Sequence, residues 1–257
     1  MAEPIVLSGS SMGTYLRCPR QWEHVYVRRD RQRPNLKAAL GTAAHAAAEL
    51  DYRQKVTSGV ELPKDVVLDA FRDAYVESSY DAVEKPEKKE TIPLFLDSGI
   101  QATGFWYDDV APLYQPVLVE QNGQFTINGI HYDWTLDYTD DKDVVGDWKF
   151  VGRTPNSAET YVLNMIGYAI GFRRLTGEIE SGVRLDHVVR LKKPIHVPIE
   201  GPTVPDDDIY AFADTVKSVY DSIQMGSFPP NGLKSGACSW CAYADGTCKA
   251  YRRPKNA

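Results

Sequence analysis

Asp147 and Lys149 stand two residues apart in Val144-Val145-Gly146-Asp147-Trp148-Lys149-Phe150, whose valines and aromatics read as a β-strand. Strand alternation puts Asp147 and Lys149 on one face and Trp148 on the other. The preceding run, His131 to Tyr138, alternates in the same way, and Thr139 to Asp143 is an acidic turn. Ile130 to Phe150 is therefore a hairpin that can bring Asp137 beside Asp147 and Lys149. Hard divalent cations take oxygen ligands, and Asp137, Asp147 and the Trp148 carbonyl would supply three. Lys149 would orient an attacking water or offset charge on a phosphate oxygen, which are the needs of phosphodiester hydrolysis. Asp133 shares the strand face of Asp137 and competes for its role; Asp137 is preferred because it adjoins the hairpin end opposite the Asp147 segment.

Several elements must hold these groups in place. Val117 to Glu120 reads as a strand, Gln121-Asn122-Gly123 as a break, and Gln124 to Ile127 as a second short strand. Asn128-Gly129 is a hairpin turn into the central stretch. In this meander Glu120, Asp137 and Asp147 lie on neighbouring strands. The alanine-rich segment Leu36 to Tyr52 predicts a helix packed through Leu40, Ala43, Ala44, Ala47 and Leu50. On it His45 and Glu49 share a face, and His45 is a candidate metal ligand or partner of a catalytic carboxylate. Helices are also expected over Leu62 to Tyr80, opened by Pro63, over Ile100 to Tyr114, over Ser157 to Leu175 and over Asp206 to Met225. Asp81 to Glu90 reads as an exposed linker. Ser8, Ser10 and Ser11 can cap a first short helix, which Pro19 interrupts before a helical continuation over Gln21 to Val27. His187 to Leu191 and Ile195 to Ile199 form a last pair of strands.

At 257 residues and 43% hydrophobic content the chain suits one large domain. It has no uninterrupted apolar run near membrane-spanning length, and its start, MAEPIVLSGS, lacks a signal peptide's pattern. A soluble cytoplasmic protein with no membrane partner is the expectation. The net charge of -6 is unevenly spread: Arg17 to Lys37 carries +5 and the residues after Cys248 carry +4, leaving -15 for the remainder. A local positive surface on an acidic protein suffices to meet nucleic-acid phosphates. The four cysteines are Cys18 and the trio Cys238, Cys241 and Cys248, the first two of the trio in a CxxC pair. In a chain without secretion features this pattern points to metal or redox chemistry. Four thiolates suit either tetrahedral zinc or a 4Fe-4S cluster.

Taken together, Tyr15-Leu16-Arg17-Cys18-Pro19, Leu40-Gly41-Thr42-Ala43-Ala44-His45 with Glu49, Asp137, Gly146-Asp147-Trp148-Lys149 and the three late cysteines resemble the PD-(D/E)xK nuclease superfamily. Within it they resemble the RecB-like exonucleases with an iron–sulfur cluster, a group that takes in AddB-type helicase–nucleases, CRISPR adaptation nucleases and phage exonucleases. The resemblance implies an α/β fold with a mixed central sheet flanked by helices, a helical region, and a four-cysteine cluster joining the two ends. It implies one domain over 1–257, with 1–35 and 226–257 forming the cluster-binding region and 36–225 the helical insertion and nuclease core. It further implies that His45, Asp137, Asp147 and the Trp148 carbonyl bind Mg²⁺ or Mn²⁺, that Lys149 serves the attacking water, that Glu120 is the acidic residue of the preceding strand, and that the cysteines hold 4Fe-4S. Asn164, four residues before Tyr168, stands where the family commonly has glutamine, and Trp134-Thr135-Leu136 lacks the glycine common before the first aspartate. The expected activity is metal-dependent exonucleolytic hydrolysis of linear DNA, 5′ to 3′, in repair, recombination or phage DNA processing, with a helicase or recombination partner. The alternatives are a nucleic-acid-binding protein with a structural metal cluster and no turnover, and a structure-directed endonuclease.

Overall fold

The computed structural model describes residues 5–30, 32–33, 35–84, 90–155, 162–239, 241–244 and 247–248. In chain order the elements are β1 (Leu7–Ser8), α1 (Gly9–Arg17), α2 (Pro19–Trp22), a π-helical turn (Glu23–Val27), α3 (Leu36–Ser58), α4 (Lys64–Ser79) and α5 (Ile92–Phe105). A second π-helical turn (Trp106–Val110) and a 3₁₀ turn (Ala111–Leu113) lead into β2 (Pro116–Ile127), β3 (Ile130–Asp140) and β4 (Val144–Val151). Then come α6 (Val162–Thr176), β5 (Gly182–Val189), β6 (Ile195–Pro202), α7 (Asp206–Gln224) and two 3₁₀ turns, Asn231–Leu233 and Ala237–Ser239. The chain divides into two compact units, one of Met1–Gln32, Gln124–Trp134 and Pro205–Ala257, the other of Arg33–Gly123 and Thr135–Val204.

The second unit is a mixed sheet covered by helices, as an α/β fold requires. β4 pairs antiparallel with β3 at Tyr138↔Gly146 and Thr139↔Val145. It pairs parallel with β5 through eight positions, from Val144↔Gly182 to Val151↔Val189. A parallel pair needs a crossover connection, which α6 supplies between these two strands. β6 closes that side, antiparallel to β5, and β2 flanks β3.

The core lies between one sheet face and α3, α4 and α5, with Trp148, Tyr138, Phe150 and Val188 on the sheet side and Ala43, Ala44, Ala47, Phe71 and Trp106 among the helix residues. Small side chains let α3 approach closely. The Trp148 indole stacks on Tyr138 at 4.6 Å and meets Tyr52 and Trp106 edge-on. Gly146 is needed here because a Cβ on it would come within 2.1 Å of the Tyr138 ring. Behind the ring, the buried Asp186 accepts hydrogen bonds from Tyr138 Oη (2.5 Å) and Tyr114 Oη (3.0 Å) and pairs with His196 Nε2 at 2.6 Å. Burial alone would raise the Asp186 carboxyl, but the bonds from His196 and Tyr138 and the Arg184 charge hold it below the usual range.

In the first unit Ser8 and Ser11 form a reciprocal capping box at the start of α1, as the serine cluster predicts. β1 pairs in parallel with β3 at Leu7↔Tyr132 and Ser8↔Asp133. The Tyr132 ring stacks on Phe125 at 5.0 Å and meets Phe212 of α7 edge-on.

The structure corrects several expectations. β2 is one continuous strand, so no turn interrupts it at Gln121-Asn122-Gly123, although Glu120 within it takes a left-handed backbone. α3 runs on to Ser58 because Asp51, Tyr52 and Lys55 continue its buried face, whereas Leu50 is exposed. The predicted helix over Ile100 to Tyr114 begins at Ile92, and β5 starts at Gly182 rather than His187. The start of the predicted Ser157 helix and part of the Asp81 to Glu90 linker lie outside the described residues.

The four-cysteine 4Fe-4S cluster expected to join the chain ends is also overturned. Among the described residues, the one group of three or more His, Cys, Asp or Glu side chains with candidate ligand atoms within 4.8 Å of one another contains no cysteine. Cys18, Cys238, Cys241 and Cys248 form no disulfide. The Cys238 and Cys18 sulfurs pack on Gly232, where a Cβ would meet them at 2.5 and 3.7 Å. Burial raises the Cys241 thiol, favouring the protonated form over the thiolate that a metal requires.

A stability prediction follows from the loop after α3. The fully buried Asp51 accepts the Leu62 amide at 2.8 Å through Oδ1, and burial pushes its pKa up to about 6. Folding therefore favours the protonated carboxyl, and the stability this group contributes is lost as pH rises from about 4 through about 6. Asp51→Asn keeps the acceptor and removes the charge. Urea melts should show little difference between the proteins below pH 4 and a variant more stable by about 1 kcal/mol above pH 6. Equal melts across that range would show that the carboxylate is not penalised.

Candidate metal centre

Four elements of the second unit, α3, β2, β3 and β4, converge at the β3–β4 hairpin. α3 contributes His45, whose Nδ1 lies 3.4 Å from Asp137 Oδ2 on β3 and 3.7 Å from Glu120 Oε1 on β2. All three offer a ligand atom within 4.8 Å of the others. β4 contributes Asp147 and Lys149, which form an ion pair through Oδ2 and Nζ, on the same face as the alternation predicts. Between the strands, the Trp148 amide donates to Asp137 Oδ2 at 2.7 Å.

Glu120 owes its place to backbone geometry. Its φ of 46° is left-handed, which costs energy for a residue with a Cβ. Strict alternation would send Glu120 and the core residue Val119 to opposite faces; the irregularity lets both meet α3. The pairing itself is set by the Asn128-Gly129 turn, with φ of 50° and 76°. The side-chain contacts Phe125–Tyr132, Thr126–His131, Gln124–Asp133 and Leu118–Thr139 are all symmetric about that turn. The same count places Glu120 opposite Asp137.

The electrostatics fit a cation. Burial and the charge of Asp147 push Asp137 up to about 7, against the pull of His45 and Lys149. For His45 burial alone would lower the pKa, yet the Asp137 charge and the hydrogen bond to Glu120 outweigh it and raise it. Asp147 is 1% exposed and its Oδ2 makes no hydrogen bond of good geometry beside the Lys149 ammonium. Carboxylates crowded in this way gain from a divalent ion. The oxygen donors suit Mg²⁺ or Mn²⁺, and an imidazole nitrogen favours the transition metal.

Of the residues singled out in the sequence, His45, Glu120 and Asp137 come together, with Asp147 and Lys149 beside them. Asp133 does not join them; its Oδ1 accepts from Gln124 Nε2 at 2.8 Å. Glu49 pairs with Arg53 on the helix surface. Sequence reasoning missed His187. It stands opposite Lys149 in the β4–β5 pairing, is fully buried, and has its pKa lowered chiefly by that burial while sensing both Asp147 and Lys149. Its parity on the strand would have shown this only with the β4–β5 register in hand.

The strained glutamate gives a test. Glu120→Gly should relieve the left-handed backbone and raise the metal-free melting stability by roughly 1 kcal/mol. The same variant should weaken Mn²⁺ binding, measured by calorimetry, by about tenfold or more. A variant that melts lower and binds Mn²⁺ as the wild type does would remove Glu120 from the site.

Comparison with known proteins bears on the fold and the family. Among solved structures, a candidate exonuclease from Eubacterium rectale superposes with a TM-score of 0.60 at 10% identity, over 97% of this chain and 90% of that one. A second, SSO0001, aligns at a TM-score of 0.38 and 10% identity over 90% of this chain and 92% of the other. No curated protein matches the chain significantly. No helix among the described residues is long and apolar enough to cross a membrane. The model of the PD-(D/E)XK nuclease superfamily matches residues 6–248, and the chain belongs to that superfamily.

Proposed function

We propose that this chain is a Mg²⁺- or Mn²⁺-dependent deoxyribonuclease that degrades linear DNA from an end, in the manner of the RecB-like exonucleases. The observation that carries the reading is the convergence of His45 Nδ1 with the Glu120 and Asp137 carboxylates beside the Asp147–Lys149 pair, in a nuclease-superfamily fold. His45, Glu120, Asp137, Asp147 and the Trp148 carbonyl are assigned to hold the cation. When bound, it would supply charge neutralisation at the phosphate and a lowered pKa for water.

The remaining work falls to side chains. Asp137 Oδ2 accepts the Trp148 amide, which holds the carboxylate in place without needing to reorganise. Lys149, held against Asp147, is assigned to orient the attacking water and offset charge building on the phosphoryl oxygens. Its stem rests beside the strand pair β4–β5, with His187 across from it.

End-directed action rests on the sequence, which carries no separate module for reading bases; backbone contacts bind DNA without selecting sequence. The resemblance to the RecB-like exonucleases leans toward 5′ to 3′ digestion, in the cytoplasm, with a helicase or recombination protein as the partner that delivers ends.

The test compares end-labelled linear DNA with covalently closed circles, in Mn²⁺, Mg²⁺ and EDTA. Linear DNA should shorten from one end only with metal, and circles should persist. Lys149→Ala should fold as the wild type by circular dichroism and lose about two to three orders of magnitude in turnover. Cleaved circles would make the protein an endonuclease. Binding without any metal-dependent product would make it a nucleic-acid-binding protein without turnover.

A further inference from the structure

The first unit holds an aromatic stack that the candidate metal centre does not use. Phe228 stacks on Trp22 with ring centroids 5.8 Å apart and planes 12° apart. Trp22 stacks in turn on Tyr26 at 5.1 Å and 29°, and Tyr15 steadies the base of the column edge-on against both Trp22 and Phe228. Trp22 is buried at 4% exposure, whereas Tyr26, at the end of the column, is 42% exposed.

The segment carrying Tyr26 is π-helical, Glu23–Val27, a local widening of the helix that occurs often at functional sites. It leaves Val25, Tyr26 and Val27 at 38%, 42% and 56% exposure. The surroundings are basic. From Arg17 to Asp30 there are four arginines against Glu23 and Asp30. Glu23 is shared between Arg20 and Arg28, so one carboxylate serves two guanidiniums. The Arg17 charge acts on the Tyr26 hydroxyl, and Arg28 and Arg29 follow on the exposed side. In a protein of net charge -6 this is a local reversal of sign.

We propose that Tyr26 ends a preformed stacking column that receives a nucleobase of single-stranded DNA, with Arg17, Arg28 and Arg29 meeting the adjoining phosphates. A base laid on the open side of Tyr26 continues an existing stack and needs no rearrangement of Trp22 or Phe228. Stacking on an aromatic ring accepts every base, and arginines beside it supply the salt-sensitive part of binding. A duplex keeps its bases stacked internally and cannot offer one, so the surface discriminates for unpaired strands. The inference rests on the nuclease reading only for the choice of DNA as ligand, and its test needs no turnover.

The test uses the full chain in EDTA and follows the anisotropy of a fluorescein-labelled oligothymidylate. Tyr26→Ala should weaken binding roughly tenfold, and Tyr26→Trp should bind at least as tightly as the wild type. Tyr26→Leu, which keeps apolar packing on Trp22 but has no π-face, guards against a folding defect and should bind as weakly as Tyr26→Ala. Arg28→Ala should lower the slope of log affinity against log salt by about one. The proposal fails if Tyr26→Leu binds like the wild type, if Tyr26→Trp is as weak as Tyr26→Ala, or if a fully paired duplex binds as tightly as the single strand. Loss of cleavage in Lys149→Ala with oligothymidylate binding intact would separate the two readings.

Discussion

Burial of the Trp148 indole is the constraint on which the candidate centre depends. Once that ring is clamped by Tyr138, Tyr52 and Trp106, strand alternation leaves Asp147 and Lys149 no choice of face. The clamp is supported from behind, where Tyr138 is tied to Asp186 and Arg184, and Arg184 to Asp140. A buried polar network of this kind tolerates little change, because each lost partner leaves another group unsatisfied. The precision of the chemistry is therefore set by apolar contacts and hydrogen bonds around Trp148.

The metal-binding groups themselves are arranged at some cost. A glutamate with left-handed backbone, a carboxyl pushed up to about 7 and an aspartate against a lysine are all poor choices for stability alone. Their coincidence on three adjacent elements argues for function, since strain persists where the surrounding structure over-determines it. The alanines of α3 are the other half of this arrangement. They bring the helix close enough for His45 to reach carboxylates on two strands, which a bulkier packing face would hold away.

Much of this was legible in the sequence. The hairpin, the face shared by Asp147 and Lys149 and the helix bearing His45 all follow from periodicity and turn chemistry. The β2 turn was misread because Gln121-Asn122-Gly123 has turn composition, while the strand continues through it by virtue of pairing with β3. His187 was missed because its relevance depends on a parallel register set by a crossover helix, which no local pattern encodes. The cysteines misled for a related reason. Spacing suggests a ligand set, but burial of Cys241 and the packing of Cys18 and Cys238 on Gly232 are tertiary facts.

The symmetry of the β2–β3 hairpin about Asn128-Gly129 has an evolutionary consequence. Glu120 and Asp137 each stand eight positions from the turn residue on their own arm, so the two arms form a ruler of fixed length. Losing or gaining a single codon on one arm slides one carboxylate past the other and reverses the facing of every side chain beyond it. Matched changes on both arms, or changes within the turn, leave the pair opposed. Length variation among descendants of this chain should therefore collect at the hairpin tip, while the arms admit substitution but resist insertion.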